Sequence, residues 1–162
     1  MSVFNNIFAE ARQDGAQQLG PNILAACGPI LTVEISIPTS LAEVYTKENK
    51  QIPQPKIGWA LIDTGATKTC VDDDVLTQLG VNPIDRTSIH GSSGKHEVNI
   101  FPAHMRFPTI PNFELDFSSA IGVNIQAQQV GGQPIIALLG RDILSRCLFV
   151  YNGPLGIYTI SF

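Results

Sequence analysis

Charge is what this chain has least of. Asp, Glu, Lys and Arg make up 15% of its 162 residues, against about 25% in an average globular protein. The 10 Lys and Arg are scattered, and with 14 Asp and Glu they leave a net charge of -4. Without a basic cluster the chain is not built to hold nucleic acid or an anionic membrane surface. Long apolar runs are missing as well. Stretches such as Ile135–Leu139 fall far short of the ~18 residues that suggest a membrane span. Met1 is followed by mixed polar and apolar residues, not by a basic stretch and an apolar run, so no secretory signal is expected. Cysteine is scarce. Cys27, Cys70 and Cys147 form an odd set with no C-x-x-C spacing, which gives neither a disulfide framework nor a zinc site. They read as small buried apolar residues in a reducing, cytoplasmic setting. His90, His96 and His104 are too isolated to complete a ligand set, so no metal and no cofactor are expected. The length excludes a two-lobed enzyme.

Apolar residues supply 44% of the chain, enough for one core, and 14 Gly and 11 Pro point to many short elements joined by turns. Phe4, Ile7, Phe8 and Ala11 stand at i, i+3, i+4 and i+7, which predicts a short amphipathic helix. A second helical turn is expected from Asn22 to Cys27. Residues 1–29 thus read as a helical docking extension ahead of a domain over 30–162. From Ile30 the period becomes two: Leu31, Val33, Ile35 and Ile37 alternate with Thr32, Glu34 and Ser36, a half-buried strand stopped by Pro38. Ser40 with Glu43 has the pattern of a capping box on one helical turn. Ile57–Ile62 and Ile135–Leu139 are apolar on both faces and read as doubly buried strands. Asp72, Asp73 and Asp74 precede Val75–Leu79 and Gly80, a helix start and stop in preference to a cation loop. Residues 87–90 and 95–98 flank Gly91-Ser-Ser-Gly94 as a β-hairpin, and a shift of apolar phase after Ile100 predicts a bulge. Residues 148–151 and 157–162 form a closing hairpin. The fold class is mostly β, with one or two short helices.

The chemistry-bearing residues are Asp63-Thr64-Gly65-Ala66. An apolar strand drops straight into an acid, a hydroxyl and a glycine. A carboxylate there is partly desolvated, which is costly unless it is used or neutralised. Gly65 lets a ligand approach the backbone closely, and Thr64 can fix the loop. A second run, Ile136-Ala-Leu-Leu-Gly-Arg-Asp142, repeats the pattern of apolar strand, glycine and short polar helix.

These two motifs, in this order and with a glycine-bearing hairpin between them, resemble the retropepsin-like aspartic proteases over roughly residues 30–162. The resemblance implies a single-lobe, β-barrel-like acid-protease fold acting on polypeptides. It implies Asp63, Thr64 and Gly65 as the catalytic loop, with Ala66 beside it in the cleft. Ile89, His90, Gly91, Ser92, Ser93 and Gly94 would form a flap over an extended peptide. Leu139, Gly140, Arg141 and Asp142 would support the loop from behind. Peptide hydrolysis by this route needs two carboxylates sharing a proton, and the chain has one Asp-Thr-Gly, so the family's homodimer is implied, closed through the N-terminal strand and the final hairpin. The sequence departs from retroviral members at Thr67, where they carry an acid that meets the arginine of the second motif; Arg141 must find another partner. Two rivals stand beside this. An aspartyl-nucleophile phosphotransferase would want an acid where Gly65 stands, and helices alternating with the strands. A non-catalytic dimer binding extended peptides would use the same cleft.

Overall fold

Alternation does most of the building. The computed structural model describes residues 2–91 and 94–162; Ser92 and Ser93, expected at the hairpin tip, lie outside the described residues. In chain order the elements are β1 (Val3–Ile7), β2 (Ala9–Ala11), β3 (Gln17–Leu19), α1 (Pro21–Cys27), β4 (Ile30–Ser36), α2 (Thr39–Lys47), β5 (Lys56–Ile62), β6 (Cys70–Asp72) and α3 (Asp73–Gln78). There follow β7 (Asp85–Gly91), β8 (Gly94–Arg106), β9 (Glu114–Val123), β10 (Gln129–Val130), β11 (Gln133–Leu139), α4 (Arg141–Leu144), β12 (Leu148–Asn152) and β13 (Ile157–Ser161).

Leu31, Val33 and Ile35 on β4 are fully buried, each worth about 1.5–3 kcal/mol of apolar burial. Strand β4 pairs antiparallel with β5 and with β8, β8 with β9, and β9 runs parallel to β6. Strand β6 then pairs with β11, and β11 lies parallel to β5. The ring β11-β5-β4-β8-β9-β6 therefore closes on itself as a six-stranded barrel, which removes the free edges an open sheet of this size would present. Its interior is filled by side chains such as Leu31, Ile62, Phe101, Met105 and Leu139. The expected bulge lies in β8, where register against β9 shifts between Phe101 and Ala103. It turns Phe101 inward over Gly122, where a β-carbon would stand 2.7 Å from the Phe101 ring.

Among the described residues, four short α-helices punctuate the strands. The Asp72 carboxylate caps α3 by accepting from the Asp74 and Val75 amides, and it also accepts from Ile125 and Gln126. Its charge is thereby spent on N–H donors, as the helix-start expectation requires. Helix α2 is longer than the single turn expected, and no Ser40–Glu43 box caps it. Asp116 on β9 reaches over instead, accepting from Thr39 N at 3.2 Å and Thr39 Oγ1 at 2.7 Å.

The amino-terminal expectation needs correcting. Val3–Ile7 and Ala9–Ala11 are strands and no helix forms over them; of the two helical turns expected, the second is present, as α1. Strand β1 pairs with β13, which pairs with β12, in a three-stranded sheet. Phe4, Phe8 and Phe149 pack around Tyr158, whose hydroxyl donates to Ile30 O and whose pKa burial pushes up. A backbone partner and an aromatic cluster outweigh the weak helical preference of so short a segment.

Candidate active site

The site grows from the parallel pairing of β5 with β11, which brings Ile62 opposite Leu139. Two loops leave the same end of the barrel side by side, 63–68 after β5 and 140 onwards after β11. The Asp63 amide donates to Leu139 O at 3.0 Å, and the Arg141 amide donates to Ala66 O at 2.9 Å. The loops are thus stitched at both ends.

Within the first loop the carboxylate is anchored by one oxygen. Asp63 Oδ1 accepts from the Gly65 amide at 2.9 Å and the Ala66 amide at 3.2 Å. No side chain or amide among the described residues engages Oδ2. Asp63 is half-buried, whereas Thr64 and Gly65 are exposed. A β-carbon at position 65 would sit 3.1 Å from Asp63 Oδ1, so glycine keeps that oxygen within reach of the amides. The result is a carboxylate held through one oxygen, with the other left without a hydrogen-bond partner among the described residues.

Arg141 answers the question its missing acid posed. Its Nη1 donates to Thr64 O at 2.8 Å and Gly65 O at 3.0 Å, and its Nη2 to Thr67 Oγ1 at 2.9 Å. A planar fork of donors satisfies three acceptors of one loop, which a lysine could not do in that geometry. Beneath it lies a pair that sequence reasoning passed over. Thr69, 1% exposed, donates through Oγ1 to Asp142 Oδ1 at 2.8 Å, while its amide donates to Asp142 Oδ2 at 3.0 Å. The same hydroxyl accepts from the Gly140 amide at 3.1 Å. Gly140 has no room for a side chain: a β-carbon there would lie 2.4 Å from the Lys68 carbonyl carbon. The sequence carries no local signal for Thr69, whose partners lie more than 70 residues away.

Asp63, Thr64, Gly65 and Ala66 therefore bond to Leu139 and Arg141, while Gly140 and Asp142 bond to Thr69 at the end of the same loop. Strands β7 and β8 pair in register from Asp85–Ile100 to Gly91–Gly94, with Ile89 opposite His96 and His90 opposite Lys95. The hairpin is tied to the body through Asn99 Nδ2, which donates to Asp73 Oδ2 at 2.9 Å. Among the described residues no hydrogen bond joins it to the Asp63 loop.

The nearby thiol is inert. Burial, then the carboxylates of Asp142 and Asp63, push the Cys70 pKa up to about 11, so it stays protonated at neutral pH and offers no nucleophile. No cluster of three His, Cys, Asp or Glu among the described residues is placed to hold a metal ion, and no described helix is long and apolar enough to cross a membrane.

No known family's sequence pattern matches this chain, and no curated protein matches it in sequence. Among solved structures, a retropepsin-like aspartic protease from Rickettsia conorii is similar to it at 14% identity, with a TM-score of 0.44, over 98% of this chain and 90% of that one.

Proposed function

We propose that this chain is half of an aspartic endopeptidase, a homodimer in which Asp63 faces Asp63 of the partner subunit. The observation that carries it is the state of the Asp63 carboxylate: Oδ1 is held by two amides and Oδ2 has no partner. A single fixed carboxylate cannot at once take a proton from water and give one to a carbonyl. Two of them, close enough to share one proton, can.

In the dimer the ionised Asp63 takes a proton from the attacking water as its oxygen bonds to the scissile carbonyl carbon. The protonated one gives its proton to the carbonyl oxygen, leaving a neutral tetrahedral diol. On collapse the Asp63 that gave its proton takes one from the diol, the other gives the proton it took from water to the departing nitrogen, and the C–N bond breaks, which leaves one proton on the pair. The exposed Thr64 is available to bond across the two-fold axis, and Arg141 keeps the loop rigid while it does so. Exposed apolar side chains on the outer face of the terminal sheet, Val3, Ile7, Leu148 and Val150, suit a surface covered by a second copy. The β7–β8 hairpin, including Ile89, His90, Gly91 and Gly94, is assigned the flap.

Turnover of a peptide library by the wild-type chain, absent in Asp63→Asn, supports this function when the solution mass is that of a dimer. Peptide binding by both without cleavage by either would leave a non-catalytic binding module instead. A strict monomer that still cleaves would overturn the shared-proton mechanism.

A further inference from the structure

Where the Asp63 loop ends at Lys68 there is a cavity of about 290 Å³ between β9 and α4, lined by Phe113, Phe117, Ile143 and Phe162 together with Lys68 and Arg146. Phe113 and Phe162 stack at 3.5 Å between ring centroids, closing one end. Its size is at the lower limit for a ligand pocket, right for one or two side chains and too small for a nucleotide cofactor.

The charges around it are unevenly spent. Asp142 and Asp116 also line the cavity. Asp142 already accepts from Thr69 N, Thr69 Oγ1 and Ile143 N. Asp116 accepts from Thr39 N and Oγ1 and faces His104 Nδ1 at 3.2 Å. Lys68 and Arg146 are exposed, and neither side chain has a hydrogen-bond or ion-pair partner among the described residues. Formal charge is balanced, but donors are not: an ammonium with three N–H and a guanidinium with five stand unanswered over an apolar floor.

We propose that this cavity is a specificity site for a carboxylate side chain next to an apolar one in an extended polypeptide. The apolar residue fills the floor and the carboxylate meets Lys68 and Arg146. The inference deepens the proposed function, on which its link to cleavage rests. Lys68 ends the loop that Asp63 begins. Five residues of chain at ~3.4 Å each bound their separation, so the acidic position lies within about five residues of the bond to be cut.

The test uses the full chain carrying Asp63→Asn, so that no probe is consumed, with the blocked hexapeptide Ala-Ala-Phe-Glu-Ala-Ala and its Gln counterpart. In ¹⁵N-resolved titrations the Glu peptide is expected to shift the amides of Lys68, Ser118 and Arg146. It should bind about five- to tenfold tighter than the Gln peptide, as two exposed charge pairs allow, and the preference should shrink with added salt. Lys68→Glu with Arg146→Glu should erase the preference without lowering the melting temperature. Equal affinity for both peptides, shifts confined to other surfaces, or no binding at about 10 mM peptide would overturn the proposal. The Asp63-bearing chain separates the two claims. Preference without turnover of either peptide removes the protease reading and keeps the pocket. Turnover at equal rates, unchanged by charge reversal, removes the pocket alone.

Discussion

Thr69→Val is the most informative single substitution at the base of the candidate site. Valine keeps the β-branched shape of a residue that is 1% exposed and deletes only its hydroxyl. That hydroxyl donates to Asp142 at 2.8 Å and accepts from the Gly140 amide at 3.1 Å. The Gly140 amide is buried and has no second acceptor among the described residues, and an orphaned buried donor costs about 1–3 kcal/mol. Asp142 is half-buried and keeps the Thr69 amide at 3.0 Å, so water can replace part of its loss at about 0.5–1 kcal/mol. Together the substitution should cost about 1.5–4 kcal/mol, roughly 10- to 800-fold in the folding equilibrium. Thr69→Ser is the control: it retains the hydroxyl and loses one methyl, about 0.8 kcal/mol. Urea denaturation followed by circular dichroism, at one protein concentration because association adds to stability, should separate the two by at least about 0.7 kcal/mol with equal slopes. If valine is as stable as serine, the hydroxyl does not hold the two loops together and the account of the site's support is wrong.

Gly140→Ala should destabilise by about 1–3 kcal/mol or more, since the added carbon meets Lys68 and Thr69 backbone at 2.4–2.8 Å; a thermal midpoint within a degree of wild type would contradict this. Asp116 provides a pH signature. Burial pushes its carboxyl up, but bonds from the Thr39 side chain and amide and from His104 outweigh that and hold it below the usual range. A depressed folded value gives stability that is present above the unfolded pKa near ~4 and lost as pH falls through the folded value. Asp116→Asn should therefore flatten the fall of melting temperature below about pH 4, and an acid limb as steep as wild type would count against it. Cys70, with its pKa near 11, should resist iodoacetamide at pH 8 in the native chain and react once urea exposes it; rapid native labelling would refute its burial behind the loop.

The elements legible in the sequence were those whose information is local. Leu31, Val33 and Ile35 alternate within seven residues, and β4 forms where they do. Asp72 caps the helix it precedes. The sites of failure depend on residues far away in sequence. Phe4 and Phe8 share a face in a helix and in a strand alike; Ile7 is the residue that separates the two, and it is 59% exposed because β13, not a helix turn, sets its direction. Helix α2 is capped by Asp116, 77 residues on, beyond any local box. At the candidate site the two glycine-bearing loops could be named from the sequence, but not that Arg141 would bond two carbonyls and Thr67 in place of an acid. Nor did the sequence reveal Thr69 as the link between Gly140 and Asp142, since a threonine at a strand entrance looks like any other.

The pairing of β1 with β13 also dictates an order of events. Val3 lies opposite Ser161, and the Ser2 amide donates to Phe162 O, so the first strand waits for the last residues before it can settle. During synthesis the barrel strands through β11 can associate while Phe4 and Phe8 still lack Tyr158. These contacts span nearly the whole chain, and such long-range closures are the slow steps of folding. The outer face assigned to a second copy, which needs β1, β13 and β12 together, is therefore the last surface to mature. A chain that stopped after α4 would keep the Asp63 loop and its Arg141 bonds but lack the three-stranded terminal sheet, and with it the face proposed for a second copy.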